Sequence, residues 1–250
     1  MIDINSDMGE SFGAYQMGDD EAMLAYVTSA NIACGFHAGD PRTIDATVAQ
    51  AAAREIAIGA HVSYPDLSGF GRRSMRVSAE ELVTDVVYQI GALEGFCRRH
   101  STTVRYVKAH GALYNDLADD EELAAAFADA LLAYRGDLSA LVLAGSPAVA
   151  VLTEKGVPVI REGFADRGYT AGGRLVSRRQ SGALITDPAV VAERGWRIAT
   201  GAQIDAADGS PLVLEVDSLC VHGDTPGAVE LARALRAGLA EHSVPVAAFA

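Results

Sequence analysis

Short apolar runs alternate with helical segments along the whole chain, and this alternation limits the possible folds more than any single motif. The runs that suit buried strands are residues 2–5, 30–33, 57–61, 104–107, 141–144, 157–160 and 219–221. Such runs are typical of strands buried on both faces of a parallel sheet, although short buried helices can look similar. Seven alternating units without a linker predict an α/β fold, a single (β/α) barrel of about seven parallel strands like a TIM barrel, over residues 1–250.

The helices are predicted from their start signals, in which a capping residue is followed by proline. These signals are Asp40-Pro41, Ser146-Pro147, Asp187-Pro188 and Thr225-Pro226. Each joins a preferred N-cap to a preferred first helical residue. Ser78 and Glu81 have the spacing of a capping box, and apolar periodicity predicts further helices near 120–134 and 225–240.

Two segments interrupt the alternation. Residues 162–186 hold five glycines and no helical period, and long segments of this type inside a compact domain are usually functional. We therefore expect a lid or a binding hairpin there. Residues 202–218 place a turn sequence before an apolar run, which predicts a hairpin ahead of the last strand.

Charge and hydropathy exclude whole classes of partner. The formal net charge of -13 argues against nucleic acid, since binding a phosphate backbone needs a basic face. No apolar run approaches the ~20 residues of a membrane span, and the first residues lack the regions of a signal peptide. We expect a soluble cytoplasmic protein. The three cysteines have no C-x-x-C spacing, which predicts free thiols.

Polar residues of catalytic type follow almost every predicted strand, and this is the main functional signal. The first strand leads into Asn5, Asp7 and Glu10, and Asn31 lies on the second. Four of the six histidines lie just past strand ends: His37, His61, His110 and His222. The carboxyl ends of barrel strands meet at one face. Histidines there act as general bases or metal ligands, or, taken singly, as hydrogen-bonded structural residues.

Cationic residues are concentrated in the same regions. The arginines of two glycine-rich loops are Arg72, Arg73, Arg167, Arg174, Arg178 and Arg179. They indicate capture of a carboxylate or phosphate, with a solvated charge run as the alternative. Lys108 ends another strand. An unpaired buried ammonium is costly, so we expect an anionic ligand or a carboxylate, Asp7 or Glu10, beside it.

Some residues have an ordinary structural explanation. Asp40 and Asp224 are secondary site candidates that also suit helix caps. Cys34 lies near His37 and could be a thiol nucleophile, but a cysteine that closes a strand is usually a small buried residue. The chain has no Walker sequence, no strand-linked G-x-G-x-x-G, no G-x-S-x-G elbow and no H-E-x-x-H. The sequence therefore gives no support for a Walker-type nucleotide site, for dinucleotide chemistry or for a serine-hydrolase elbow.

Six motifs, in order along the chain, resemble the LamB/YcsF family: residues 5–13, 30–41, 61–73, 108–115, 162–178 and 221–226. The resemblance implies a seven-stranded barrel related to carbohydrate deacetylases and glycoside hydrolases. It also implies the role of the A subunit of an ATP-dependent 5-oxoprolinase, which converts 5-oxo-L-proline, ATP and water to L-glutamate, ADP and phosphate. ATP would be a co-substrate handled with the partner subunits B and C.

The resemblance and the residue chemistry together suggest roles. The catalytic candidates are Asp7, Glu10, His61, Lys108 and His110. The substrate-binding candidates are Asn5, Asn31, His37, Arg72, Arg73, Glu162, Arg167 and His222. Arg72 or Arg73 would hold the substrate carboxylate, and Lys108 would stabilise the oxyanionic or phosphorylated intermediate. Asp7 or Glu10, with His61 or His110, would activate water and protonate the leaving nitrogen.

A divalent metal is a further expectation, held by Asp7, His61 and His110 in the manner of the deacetylases. Two other classes of function remain open at this point. One is a metal-dependent carbohydrate deacetylase or lactam hydrolase that acts alone. The other is a non-catalytic scaffold for a partner enzyme.

Overall fold

The computed structural model describes residues 1–178, 180–223 and 227–249, and its strands close into a barrel. In chain order the strands are β1 (Asp3–Met8), β2 (Ser29–Ala33), β3 (Ala57–Val62), β4 (Val104–Ala109), β5 (Ser139–Leu143), β6 (Val159–Phe164), β7 (Ile204–Asp205), β8 (Pro211–Leu212) and β9 (Ser218–Cys220). Seven of them run parallel in the closed order β1-β2-β3-β4-β5-β6-β9, with β9 beside β1. The predicted barrel is confirmed.

Helices follow most of the barrel strands. Those within the described residues are α1 (Asp20–Met23), α2 (Pro41–Ala53), α3 (Ala79–Arg99), α4 (Gly111–Asp119), α5 (Glu121–Tyr134), α6 (Pro147–Glu154), α7 (Pro188–Ala199) and α8 (Ala228–Glu241). None of them has the length and apolarity that a membrane crossing requires. The predicted helix start at Thr225-Pro226, and with it Asp224 and Arg179, falls outside the described residues.

The capping signals operate at most of the predicted starts. The Asp40 carboxylate accepts hydrogen bonds from the first backbone N–H groups of α2, and Asp187 does the same for α7. Ser78 and Glu81 form the reciprocal capping box of α3. Ser146 differs, because its side chain makes no capping hydrogen bond although Pro147 follows it. The cap explanation therefore accounts for Asp40.

The hairpin predicted before the last strand is confirmed, since β7 pairs with β8 in antiparallel fashion.

Strand β6 begins later than predicted and runs on to Phe164. Its polar residues alternate between the two faces of the barrel wall. Arg161 pairs with Asp217 at 2.8 Å, whereas Glu162 is fully buried inside. The predicted strand end at residue 160 is therefore wrong. The strand continues through its charged residues because Glu162 can be buried there, paired with Lys108 on β4.

An apolar cluster fills the amino-terminal end of the barrel. Tyr106, Leu141 and Ile160 pack together with Phe249 of the carboxyl-terminal segment. The Tyr106 hydroxyl donates a hydrogen bond of 2.6 Å to Oδ1 of Asn31. The ring lies so close to Gly59 that a Cβ there would be 2.2 Å from a ring carbon. The absence of a side chain at Gly59 is therefore what admits this ring.

We predict that Gly59→Ala lowers the free energy of unfolding by about 1–3 kcal/mol, because the added methyl overpacks the barrel interior. Gly95→Ala is the matched control. Gly95 lies in α3, and a Cβ added there would have no atom within 4 Å, so the alanine should be neutral or stabilise by up to about 1 kcal/mol. Urea denaturation of both variants measures the difference. Equal stability of Gly59→Ala and the wild type would contradict the packing described.

Candidate active site

A cavity of about 570 Å³ lies at the carboxyl ends of the barrel strands. All five residues predicted to be catalytic line it, although they come from β1, β3, β4 and the turns that follow β1 and β4. The described side chains that complete the wall include Arg72, Tyr114, Asn115, Asp116, Phe164, Arg167, Ser177, Arg178 and His222. Residues far apart in the chain thus share one site, as expected for the ends of parallel strands.

The floor of the cavity is built around a buried ammonium. Nζ of Lys108 lies 3.0 Å from Oδ1 of Asp7 and 2.8 Å from Oε1 of Glu162. The Lys108 side chain is only 3% exposed. Asn5 also accepts a hydrogen bond from it at 3.3 Å. The carboxylate expected beside Lys108 is therefore present as Asp7, and Glu162 supplies a second one.

The charges in this group keep one another ionised. Burial alone would raise the pKa of Asp7, but its electrostatic interactions with His61 and Lys108 outweigh burial and hold that pKa well below its usual value. Burial would likewise lower the pKa of Lys108, yet Asp7, Cys220 and Glu162 raise it well above the usual value. Asp7 is thus a carboxylate and Lys108 an ammonium over the working range of pH.

Three histidines and a glutamate form a second group beside Asp7. We call Glu10, His37, His61 and His110 the His/Glu cluster, because one ligand atom of each lies within 4.8 Å of all the others. His110 Nδ1 is 3.0 Å from His61 Nε2 and 3.3 Å from Glu10 Oε1. His37 Nε2 is 3.2 Å from the same Glu10 oxygen. Four potential ligand atoms thus converge on one small volume.

The backbone holds the outward nitrogens of two of the three histidines. His61 Nδ1 lies 3.2 Å from the Lys108 carbonyl, and His110 Nε2 lies 2.9 Å from the Phe70 carbonyl. His37 stacks on His110 with ring centroids 3.8 Å apart. Burial is the main cause that lowers the pKa of His37 and of His110. Both imidazoles are therefore neutral at pH 7 and can offer a lone pair inward.

The metal set predicted from the sequence differs from this cluster. His61 and His110 belong to it, but Glu10 and His37 take the places around them. Asp7 is instead grouped with Cys220 and His222 and is bound to Lys108. Only Oδ1 of Asp7 is bound to Lys108, and its Oδ2 lies 3.3 Å from Nε2 of His61.

The other predicted binding residues fall into three groups. Arg72, Arg167 and His222 line the cavity, whereas Asn5, Asn31, His37 and Glu162 are buried in the layer around it. Arg73 lies elsewhere, because its guanidinium pairs with the buried Asp66 while 66% of its side chain is exposed. Of the two arginines predicted to hold a carboxylate, Arg72 is the one at the cavity.

The glycine-rich segment after β6 forms the predicted hairpin. Isolated antiparallel bridges join Arg167 to Leu184 and Tyr169 to Leu175. The Arg167 guanidinium donates to the Ala183 and Val176 carbonyls at 3.0 and 2.8 Å, which ties the two sides together. Its residues 175–178 supply part of the cavity wall.

Tyr114 and Asp166 belong to the site but are not among the catalytic or binding residues assigned from the sequence. Tyr114, in the first turn of α4, places its buried hydroxyl beside Glu162, and burial followed by that charge raises its pKa well above the usual value. Asp166 lies 2.8 Å from Nδ1 of His222. The available signal was position, since Tyr114 follows His110 by one helical turn and Asp166 lies two residues past β6.

The cysteines are buried free thiols, as predicted. Burial is the largest cause that raises the pKa of Cys34 and of Cys220. A buried thiol with a raised pKa is a poor nucleophile, so the structure favours the packing explanation for Cys34.

Comparison with known proteins links the whole chain to one family. The sequence profile of the LamB/YcsF family matches residues 2–250. The chain is 54% identical over 249 residues to the third 5-oxoprolinase A subunit of Pseudomonas syringae pv. tomato, covering 100% of this chain and 97% of that protein. It is 51% identical over 249 residues to the first 5-oxoprolinase A subunit of Agrobacterium fabrum, covering 100% and 98%.

A solved structure has the same architecture. The crystal structure of the lactam utilization protein from Thermus thermophilus superposes with a TM-score of 0.94 at 42% identity, and each chain covers 99% of the other. The barrel described above is therefore shared over its full length.

We predict that Lys108→Met lowers the free energy of unfolding by about 3–5 kcal/mol, because it leaves Asp7 and Glu162 as buried, uncompensated carboxylates. Adding Glu162→Gln should restore part of the loss. Lys155→Met is the control, since its pair with Asp129 at 2.6 Å is largely exposed and should contribute less than about 1 kcal/mol. Chemical denaturation at pH 7 compares the three variants, and equal losses for both lysines would contradict the buried network.

Acid should weaken the same network. The pKa of Asp7 is lowered in the folded protein, so its contribution to stability is fully present above the unfolded value of about 3.9 and is lost as the pH falls through the folded value. In Asp7→Asn this part of the decline below about pH 4 should disappear. Stability curves between neutral and acid pH that are parallel for wild type and Asp7→Asn would contradict the lowered pKa.

Proposed function

Since this chain belongs to the LamB/YcsF family, we propose that it opens the lactam ring of 5-oxo-L-proline to give L-glutamate, as the A subunit of an ATP-dependent 5-oxoprolinase. The observation that carries the proposal is the contact of Lys108, Asp7 and His61 on the cavity floor, with distances of 3.0 Å for Lys108–Asp7 and 3.3 Å for Asp7–His61. The names of similar proteins support the same reaction.

A five-membered lactam is an unactivated amide, and its hydrolysis makes three demands. Its carbonyl oxygen needs a positive neighbour as charge develops, its carbon needs an activated water, and its nitrogen needs a proton. Lys108 meets the first demand, and the ionised Asp7 beside His61 meets the second. Arg72, at the cavity wall, is placed to hold the substrate carboxylate through paired N–H donors.

ATP would activate the lactam by phosphorylating its oxygen, which turns a poor electrophile into a good one. The chain has no Walker sequence, so we assign nucleotide binding to partner subunits B and C, alone or jointly with this chain. Lys108 would then face the phosphorylated oxygen. A reaction that consumes ATP suits a cytoplasmic location.

The His/Glu cluster is suited to a divalent metal. Ligand bonds of about 2.0–2.1 Å in a tetrahedral zinc site put neighbouring ligand atoms about 3.3 Å apart, and the contacts within the cluster are 3.0, 3.2 and 3.3 Å. Backbone carbonyls hold the outer nitrogens of His61 and His110, as is usual for metal-bound histidines. A metal there would act as a Lewis acid toward the carbonyl or as a source of hydroxide.

The cluster also favours one alternative, a metal-dependent lactam hydrolase or carbohydrate deacetylase that needs neither ATP nor partners. The buried and mutually ionised Lys108 group argues against a purely non-catalytic scaffold, because a scaffold has no use for a charged cavity floor. An assay of glutamate release with and without ATP and the partner subunits separates the ATP-dependent enzyme, the hydrolase that acts alone and the scaffold.

We predict that the chain releases glutamate from 5-oxo-L-proline only when subunits B and C and ATP are present. Asp7→Ala, Lys108→Ala and His110→Ala should each reduce that rate at least about 100-fold, because Asp7 and Lys108 are the charged groups of the cavity floor and His110 is a member of the His/Glu cluster. His242→Ala is the control, since His242 caps α8 and stacks on Trp196.

Glutamate release is measured for the chain alone and with both partners, each with and without ATP. Turnover without ATP or partners would favour the hydrolase that acts alone. Full activity of all three alanine variants would favour the scaffold and contradict the assignment.

We predict that protein purified without chelators binds about one divalent ion through the His/Glu cluster. Glu10→Gln and His37→Gln should each weaken binding, whereas Asp7→Asn should keep the metal, because Asp7 is bound to Lys108. Metal content by elemental analysis and zinc titration measure both effects. Metal-free protein that stays fully active with chelator, or loss of metal in Asp7→Asn alone, would contradict this ligand set.

A further inference from the structure

We propose that His222 is the acid that protonates the ring nitrogen and that Asp166 positions it, so that this pair decides which bond of the activated lactam breaks. The inference rests on the proposed function and adds to it a catalytic residue and a positioning residue. The pair arises from the barrel register. Phe164 at the end of β6 pairs with Cys220 at the end of β9, and Asp166 and His222 lie two residues beyond each of them.

Asp166 holds the His222 ring in a single orientation. Nδ1 of His222 lies 2.8 Å from Oδ2 of Asp166, and the backbone N–H of His222 donates to the same oxygen at 3.3 Å. The His222 ring stacks on Phe164 with centroids 5.4 Å apart. Asp166 itself is 1% exposed, and its backbone carbonyl accepts a hydrogen bond from Ile185 at 2.8 Å. The carboxylate is therefore fixed before substrate arrives.

This arrangement leaves Nε2 as the nitrogen available to a ligand. A carboxylate can only accept, so Nδ1 carries the proton of the hydrogen bond to Asp166. His222 lines the cavity, and one of its ring nitrogens lies within 4.8 Å of an Asp7 carboxylate oxygen. Acid and base thus border the same space from neighbouring strands, β9 and β1. Among the described residues, Arg167 and Asp7 are charged neighbours of the pair that line the cavity.

The other cavity histidines are engaged elsewhere. His61 and His110 face each other and Glu10, and their outer nitrogens contact backbone carbonyls. Both would be occupied by a metal if one binds there. His222 lies outside the His/Glu cluster, and its carboxylate partner is Asp166, so it is available for proton transfer in either case.

The proton has a specific consequence once the lactam oxygen carries a phosphoryl group. Water adds to the ring carbon and gives a tetrahedral centre that bears nitrogen, hydroxyl and phosphoryl oxygen. If the C–N bond breaks, its electron pair moves to nitrogen, which takes the Nε2 proton of the His222 imidazolium. The hydroxyl on the carbon loses its proton to solvent, and an acyl phosphate remains that a second water hydrolyses to glutamate and phosphate. If the C–O bond breaks instead, phosphate leaves and the lactam re-forms. Protonation of nitrogen favours the first outcome.

The test compares phosphate and glutamate from the full complex with subunits B and C, 5-oxo-L-proline and ATP. The wild type should release about one phosphate per glutamate. Asp166→Asn should lower kcat for glutamate about 10²–10⁴-fold with KM little changed, and the phosphate-to-glutamate ratio should rise. His222→Gln should do the same, and the double variant should be no worse than His222→Gln, because the two residues act as a unit.

Two controls separate this role from a structural one. Asp166→Glu keeps the carboxylate. It should therefore regain part of the rate of glutamate release, and its phosphate-to-glutamate ratio should return close to the wild-type value. Asp217→Asn removes a carboxylate that pairs with Arg161 next to the same two strands, and should keep both rate and ratio. Folding of every variant is checked by thermal unfolding.

The outcomes are distinct. No glutamate from the wild-type complex overturns the proposed function and this inference together. An active wild type with an unchanged phosphate-to-glutamate ratio in Asp166→Asn, or additive losses in the double variant, overturns this inference alone.

Discussion

A buried ammonium, the side chain of Lys108, is the interaction on which the rest of the site depends. Moving a single charge out of water costs several kcal/mol even after the protein relaxes. Lys108 is tolerated because Asp7 and Glu162 meet it at 3.0 and 2.8 Å, from β1 and β6, the two strands that flank β9 in the barrel. The three charges must be placed together, and a barrel with a fixed register is what places them.

The contact with Lys108 also determines which oxygen of Asp7 can act as a base. Its first oxygen is held by Lys108 and by Asn31 at 2.8 Å, which leaves the second one toward His61 at 3.3 Å. An ionised carboxylate with one oxygen committed is a directed base. The His/Glu cluster on one side and the Asp166–His222 pair on the other then border a single cavity. A basic carboxylate, a set of potential metal ligands and a proton-donating histidine thus lie close to one another.

Reasoning from sequence reached the fold and the catalytic candidates by one physical rule. Apolar runs and capped helices depend on neighbouring residues, which is why the barrel and the caps at Asp40 and Ser78 could be predicted. The ends of parallel strands meet at one face, which brought Asp7, His61 and Lys108 to one cavity. Arg72 and Arg73 could not be told apart this way. Their directions depend on the turn at Leu67–Gly69 and on Asp66, which captures Arg73.

The sequence by itself therefore determined the order of the barrel strands, the capped starts of α2, α3 and α7 and the set of polar residues at strand ends, because these are local properties of the chain. Only the tertiary structure decided which of those residues touch. Glu10 and His37 joined His61 and His110, Glu162 turned inward to Lys108, and Asp166 met His222. The contact of Glu10 with His37 spans 27 residues and that of Asp166 with His222 spans 56. Such geometry comes from barrel closure and register, which no local pattern contains.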